Sequence, residues 1–474
     1  MTENSLAQIN EFNRVVWGGS DVKADLFKRW CQGFSFSPFE FSALIQSSGG
    51  PCAVIATTQA TIMYEILFIR KQNLADITDV ENMDILLNAL LRIILLVSCD
   101  HQDSFSWVYW CENEEVPVME KPTGTLSSVQ ANANTLNDST GYSNSLDCNL
   151  NQSEEYDFQK FINGLRCYEA ETVEELRAVA LSLLPQITSK YGVLCFLYSV
   201  LFTHGLQSLK NEMNGEMEAL IDPVHGHASQ CLINLLITGE STPYLFDGER
   251  DLGGFTLKGI SKQPKTGFLT FVEAMRYCEV GWFLKNPYYP VWILGSETHL
   301  TVLASPDISL VSKNVKSESN KSIPNIHQAE LEFGNLSPDQ DTGGFLSSSD
   351  LETLLSKLKL SAGSLSLNDL TAKLDPEGLG IILKKDFLQF FFPEEMARQC
   401  TTVSNFQLIH YNGLENSNID GQVRYSIGEA HLIDPTEELT ETQPVDRSPI
   451  QQCLATKWPT IRVRWNKNRS PSLN

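Results

Sequence analysis

The stretch Gln46-Ser47-Ser48-Gly49-Gly50-Pro51-Cys52-Ala53-Val54-Ile55-Ala56 leaves few architectures open. Two glycines let the backbone turn sharply and let another main chain come close, and a proline beside them suits a helix's first turn, where no amide hydrogen is needed. A helix therefore opens at Cys52. Further along, Ala56, Ala60, Met63 and Leu67 form one stripe and Ile55, Ile62 and Ile66 the neighbouring one, so this helix is buried over a broad face. At 474 residues the chain has the length to enclose it in one large core or in two to three domains, without disulfides or metals for stability.

Charge and cysteine usage narrow the partners. With 35 Lys+Arg against 58 Asp+Glu, the net charge of -23 repels phosphate backbones and anionic lipid, so nucleic acid is not an expected partner. The 11 cysteines run from Cys31 to Cys453 with no C-x-x-C pair, and MTENSLAQINEF carries no apolar signal core. The expectation is a reducing compartment, nucleus and/or cytoplasm, and not secretion. The most apolar runs, MDILLNALLRIILLV from Met83 and VLCFLYSVLF from Val193, are interrupted or too short to span a bilayer. They read as buried helices, with Asn88 and Arg92 on one exposed edge of the first, and no membrane is expected as a partner.

Composition divides the chain. Residues 1–112 carry the N-terminal part of the catalytic domain with the helix at Cys52, and 113–154 form a Ser/Asn/Thr/Glu-rich insertion with too few large apolar residues to repay ordering. Its serines and threonines could accept phosphate, although such composition is most often plain linker. Residues 155–311 return to helix, loop and strand patterns with turn signals at Asp247-Gly248 and Gly253-Gly254. A helical block at 325–395 follows the Ser/Lys-rich SKNVKSESNKS, and residues 400–474 give strand-like runs in QLIHYNGL, QVRYSIGEAHLI and TIRVRWN. The expected class is α+β.

A thiol at the positive end of a helix has its thiolate stabilised by the dipole and the free amides, which is one way a cysteine becomes a nucleophile. Gln46, six residues earlier, can offer its side-chain amide beside the Cys52 backbone amide to a developing oxyanion. That spacing matches papain-like enzymes. Among the eight histidines, at 101, 204, 225, 227, 299, 327, 410 and 431, His299 stands out. In PVWILGSETHLTVLA, two apolar runs flank a Gly-Ser-Glu turn and His299 opens the second run. A histidine opening a strand far downstream of a cysteine opening a helix repeats the chain order of papain-type proteases. The bland alternatives are a buried small hydrophobe at Cys52 and a structural histidine at His299.

Two segments in the helical block read as twelve-residue EF-hand loops. Asp339 to Asp350 has acids at positions 1, 3 and 12 (Asp339, Asp341, Asp350), Gly344 at 6 and Leu346 at 8. Asp375 to Asp386 repeats the pattern with Gly380 at 6. Both loops lack an oxygen-bearing side chain at position 5, where Gly343 and Leu379 stand, and both end in Asp where a longer Glu binds through two oxygens. A metal-free pair and a weak Ca²⁺ site both remain open, and no cofactor is required. His225, His227 and Cys231 lack a fourth ligand for a structural zinc site.

GGPCAVIA, GSETHLTV, LIDPVHGHASQCLINLLITG, GFLTFVEAMRYCEVG and KWPTIRVRWNKNRSPSLN together resemble the MINDY deubiquitinases, in the branch with an EF-hand-like insert. The resemblance implies a papain-like cysteine protease fold with that inserted domain. It also implies hydrolysis of isopeptide bonds in ubiquitin chains, with preference for lysine-48 linkages, so ubiquitin and polyubiquitin chains are the expected partners. The family's nucleophile falls on Cys52, its base on His299 and its oxyanion glutamine on Gln46. A third triad member is not marked; Thr301 and Glu297 are the candidates. The run from Glu174 to Ser182 is the nearest lookalike of a short ubiquitin-binding helix, with Val179 where that motif has Ala, but reads first as an amphipathic core helix. The alternatives to hydrolysis are a catalytically silent ubiquitin-binding or calcium-responsive scaffold, and an acyltransferase using the same residues.

Overall fold

The computed structural model describes residues 3–19, 22–98, 104–112, 157–213, 219–252, 254–311, 326–337, 344–361, 365–393, 405–418, 420–433, 446–466 and 469–474. The insertion expected at 113–154 lies outside them.

Apolar strands far apart in sequence meet in one sheet. Its members are β1 (Gly267–Thr270), β2 (Val291–Gly295), β3 (Leu300–Ala304), β4 (Asn405–Tyr411), β5 (Ser426–Leu432) and β6 (Ile461–Trp465). The spatial order is β6-β5-β4-β3-β2-β1. Only β1 and β2 run parallel; every other neighbour is antiparallel. VWILG and LTVLA are continuously apolar because both faces of the sheet are covered. Val291, Ile293, Val302 and Ala304 enter the larger core, whereas Trp292, Leu294, Leu303 and Leu408 enter a second core with Ile450 and Leu454 of the helix Pro449–Ala455. Residues beyond 405 thus complete the same sheet as β2 and β3.

On the larger core's side lies α1 (Cys52–Tyr64), in which every residue except Thr61 is buried. It packs across β2 and β3 and against α2 (Asn82–Val97), α3 (Gly192–His204) and α4 (Gln230–Thr238). The amphipathic reading from the sequence therefore understates its burial. The helix continues through a π-helical turn at Glu65–Arg70; taken together, Cys52–Arg70 is long and apolar enough to cross a membrane, yet 78% of its most apolar window is buried inside the fold. The edge of α2 expected to face solvent is also occupied: Arg92 pairs with buried Glu65 at 2.7 Å, while Asp84 and Asn88 bind Arg177. Arg177 belongs to the helix Val173–Ser182, whose Leu176, Val179 and Ala180 are buried, as in a core helix.

Residues 326–392 build a separate core from Phe333, Leu346, Leu354, Ile382 and Phe387. Four helices (Ile326–Leu336, Leu351–Leu358, Leu367–Leu374, Lys384–Phe391) flank two three-residue strands, and Leu346 stands opposite Ile382 in their antiparallel register. Both are position 8 of their loops. Asp375 turns its carboxylate onto its own loop, accepting from the Leu379 and Gly380 amides at 3.0 and 2.7 Å. Asp339 and Asp341 lie outside the described residues, and Asp350 ends the short turn before Leu351. No group of three or more His, Cys, Asp or Glu side chains converges among the described residues, at this loop or beside His225 and His227.

Candidate active site

The turn before α1 divides its two glycines. Gly50 takes φ +138° and packs so closely on the Trp30 ring that an added Cβ would sit 3.2 Å from it, so glycine is required there for the fold. Gly49 has open space around its Cα and no positive φ; a substrate main chain has room there. The first intrahelical bond runs from the Ile55 amide to the Pro51 carbonyl, leaving earlier amides without helical partners. Those of Cys52 and Ala53, together with the Leu300 amide at the start of β3, surround the Cys52 sulfur and favour its thiolate.

The β2–β3 turn aims His299. The Ser296 hydroxyl accepts from the His299 amide at 2.9 Å and donates to its carbonyl at 3.1 Å, while the Ser296 amide donates to that carbonyl at 2.9 Å. Because β3 and β4 are antiparallel, with Val302 opposite Tyr411, the start of β3 meets the end of β4. Asn412 follows Tyr411 there, and its Oδ1 accepts from His299 Nε2 at 3.1 Å. With Nε2 engaged as a donor, Nδ1 is the ring nitrogen left without a proton.

The same corner holds the glutamine. Gln46 is 2% exposed, its amide donates to the Gly413 carbonyl at 2.9 Å, and it bridges to Leu414. Its side-chain Nε2 donates to the Ser48 carbonyl at 2.9 Å. Gln32 braces this loop from outside, accepting from the Ser47 amide at 3.0 Å and donating to the Arg29 carbonyl at 2.7 Å. Asn412-Gly413-Leu414 is therefore a hub touching both the imidazole's partner and the backbone of Gln46.

Burial dominates the electrostatics. The Cys52 thiol is 4% exposed and donates to the Gly50 carbonyl at 3.7 Å. Loss of hydration pushes its pKa up to about 11, outweighing the three amides that pull it down. The helix-end amides do pull the thiol down as the sequence implies, but burial outweighs them. Burial likewise lowers His299 to about 4, with the Asn412 hydrogen bond opposing and the nearby His227 adding a little. The resting pair at neutral pH is thiol and neutral imidazole.

His410 is also buried and neutral, its pKa lowered by burial to about 3, and Nε2 shares a 3.0 Å hydrogen bond with Thr301. Both imidazoles have folded-state values below the unfolded value of about 6.5, so their contribution to stability is present above pH 6.5 and is lost as pH falls toward 4 and 3. From pH 7 to 5 we expect the unfolding free energy to fall by about 4 kcal/mol from these two rings, on linkage grounds. Urea denaturation at both pH values checks this, and His410→Asn should remove about half of the drop; an undiminished drop would rule out the assignment.

Cys52, His299 and Gln46, expected together from the sequence, are brought to one place. Thr301 and Glu297 do not take part in the His299 Nε2 hydrogen bond, which goes to Asn412. Thr301 points to His410 across the sheet, and Glu297 lines a cavity of about 570 Å³ beside the β2–β3 turn. The side chain that meets His299 Nε2 is that of Asn412, which in the sequence belongs to the strand-like run QLIHYNGL. The available signal was an Asn-Gly pair closing an apolar strand, downstream of the histidine.

A family profile described as "Deubiquitinating enzyme MINDY-3/4, conserved domain" matches residues 13–323. The chain is 39% identical to the Homo sapiens protein named ubiquitin carboxyl-terminal hydrolase MINDY-3, over 98% of this chain and 99% of that one. The Danio rerio protein of the same name is 39% identical over 97% and 98% of the two chains. A Drosophila melanogaster MINDY-3 homolog is 34% identical, covering 100% of this chain and 84% of its own length. No solved structure matches the chain.

Proposed function

Because this chain belongs to the MINDY-3/4 deubiquitinating enzymes, which are thiol-dependent ubiquitin hydrolases, we propose that Cys52 is its nucleophile, His299 its base, Gln46 its oxyanion donor and Asn412 the residue that orients the imidazole. The hydrogen bond from His299 Nε2 to Asn412 Oδ1 at 3.1 Å carries this reading. It keeps the proton on Nε2 and leaves Nδ1 as the ring nitrogen able to accept a proton. This is the arrangement of a papain-like site.

In the proposed cycle Nδ1 takes the thiol proton as sulfur attacks the isopeptide carbonyl carbon. The oxyanion receives the Cys52 amide and Gln46 Nε2. The imidazolium then gives its proton to the departing lysine amine, and water attacks the thioester to release ubiquitin. Two resting hydrogen bonds must be exchanged for this: the thiol leaves the Gly50 carbonyl, and Gln46 leaves the Ser48 carbonyl. Both partners belong to residues 46–52, so substrate has one short segment to rearrange.

The finer specificity proposed is for lysine-48-linked chains, on the strength of the sequence resemblance. Residues 326–392 are proposed to be a paired EF-hand-like module acting through its fold, supported by the pairing of equivalent positions Leu346 and Ile382. Its second loop does not present a Ca²⁺ donor set, since Asp375 binds its own amides and position 5 is Leu379. We place the protein in nucleus and cytoplasm, where cysteine thiols stay reduced. A silent scaffold is the second reading, favoured only by the enclosure of the thiol.

A propargyl-terminated ubiquitin probe, read by intact-mass spectrometry, tests the proposal. One adduct mapping to Cys52 is expected, followed by faster cleavage of lysine-48-linked tetraubiquitin than of other linkages. No adduct would sink the catalytic assignment; an adduct without linkage discrimination would sink the specificity alone.

A further inference from the structure

Asn412 orients His299 only if its own amide is held one way round. Oδ1 accepts from His299 Nε2 at 3.1 Å and from the Leu414 amide at 3.0 Å. Nδ2 donates to the carbonyls of Ser472 and Asn474 at 3.2 and 3.4 Å. A backbone amide only donates and a carbonyl only accepts, so these three main-chain contacts select a single orientation. Turned over, Nδ2 would meet the Leu414 N–H and Oδ1 would meet two carbonyl oxygens. His299 would then face a donor and be driven to the tautomer with its proton on Nδ1, which cannot accept from a thiol.

Two of the three selecting contacts come from residues 472–474, and that segment is built to stay. Leu473 is 3% exposed in the second core. The Ser472 hydroxyl donates to the Asn474 carbonyl at 2.6 Å and accepts from the Asn474 amide at 3.0 Å, closing a tight turn. Upstream, the Ser470 hydroxyl donates to Asp446, whose carboxylate also accepts from the Ser448 amide and hydroxyl. The hydroxyl turn presents the Ser472 and Asn474 carbonyls to one side chain.

We propose that residues 472–474 are a positioning clasp for the deubiquitinating reaction, fixing the Asn412 amide and, through it, the tautomer of His299. The inference rests on the assignment of His299 and Asn412 made above. The clasp acts through Asn412 and His299, so its removal is expected to lower turnover with little change in ubiquitin recognition.

The experiment uses Leu473→Asp, which unseats the turn, and a deletion of residues 472–474, each with and without Asn412→Asp. A carboxylate presents an acceptor to His299 whichever way it turns, so it needs no clasp; in the intact chain it faces two carbonyl oxygens and is disfavoured. Each clasp variant should lose about tenfold in kcat with KM within about twofold. Adding Asn412→Asp should restore most of that loss, although the same substitution lowers kcat in the intact chain. Imidazole ¹⁵N spectra should show His299 protonated at Nε2 in the parent and a tautomer mixture in Leu473→Asp.

Unchanged kcat in both clasp variants overturns the proposal. So does a loss that Asn412→Asp fails to rescue with the tautomer unaltered, which would mark the segment as plain packing. Asn412→Ala separates the two levels: if it leaves kcat intact, the site assignment itself fails; if it lowers kcat while the clasp variants do not, only the clasp fails.

Discussion

Cys52→Ala is expected to lower cleavage of ubiquitin chains by more than about 10⁴-fold, since no other group at the end of α1 can form the acyl intermediate. Binding of uncleaved chains should persist with its affinity unchanged within about twofold. The reason is structural: Cys52 is almost wholly enclosed, and the substitution removes one sulfur atom without altering the Gly49–Pro51 turn. Its direct cost to stability should be about 1 kcal/mol, the scale of a small cavity. Gel assays with tetraubiquitin and titration calorimetry with the same chains read the two effects separately. Residual cleavage above about 1% of the parent rate would place the nucleophile elsewhere, whereas loss of both cleavage and affinity would mean that the thiol supports the ubiquitin-binding surface.

Asn412→Ala should lower kcat by about 10²-fold with KM nearly unchanged, because it removes the group that keeps the base in its accepting tautomer while leaving the substrate's route to Cys52 intact. The substitution also strips the Leu414 amide and the Ser472 and Asn474 carbonyls of a common partner, and buried groups left unpaired cost ~1–3 kcal/mol. A lower melting temperature is therefore part of the expected result. Kinetics must be measured well below that temperature. Equal falls in kcat and in binding would show that Asn412 shapes the cleft and does not act through His299.

What the sequence carried and what it withheld divide along contact range. Cys52 at a helix start, Gln46 six residues before it and His299 at a strand start are local signals of turn chemistry and periodicity, legible without tertiary information. The identity of Asn412 is not local. It depends on β4 lying antiparallel beside β3 in the register that sets Val302 against Tyr411, and the Asn-Gly pair that closes β4 does not say which strand it will meet. The same limit explains the Asn88 and Arg92 edge of α2, polar in pattern yet taken up by Glu65 and Arg177. The net acidity of Cys52 is not local either. A helix end favours a thiolate wherever it occurs, but the sign of the net shift depends on how completely neighbouring elements exclude water from Cys52, and that is settled by β3 and the 46–52 turn together.

His299 and the asparagine that orients it stand 113 residues apart, on opposite sides of the insert. A ribosome adds ~5–20 residues per second, so a nascent chain carries its thiol and its imidazole for on the order of 10 s before β4 and residues 412–414 exist. During that interval the sheet lacks β4, β5 and β6, the imidazole has no fixed tautomer, and the loop of Gln46 has no Gly413 carbonyl to rest on. On the proposed assignment of His299 and Asn412, the site is incomplete until the strand that closes the sheet has been made.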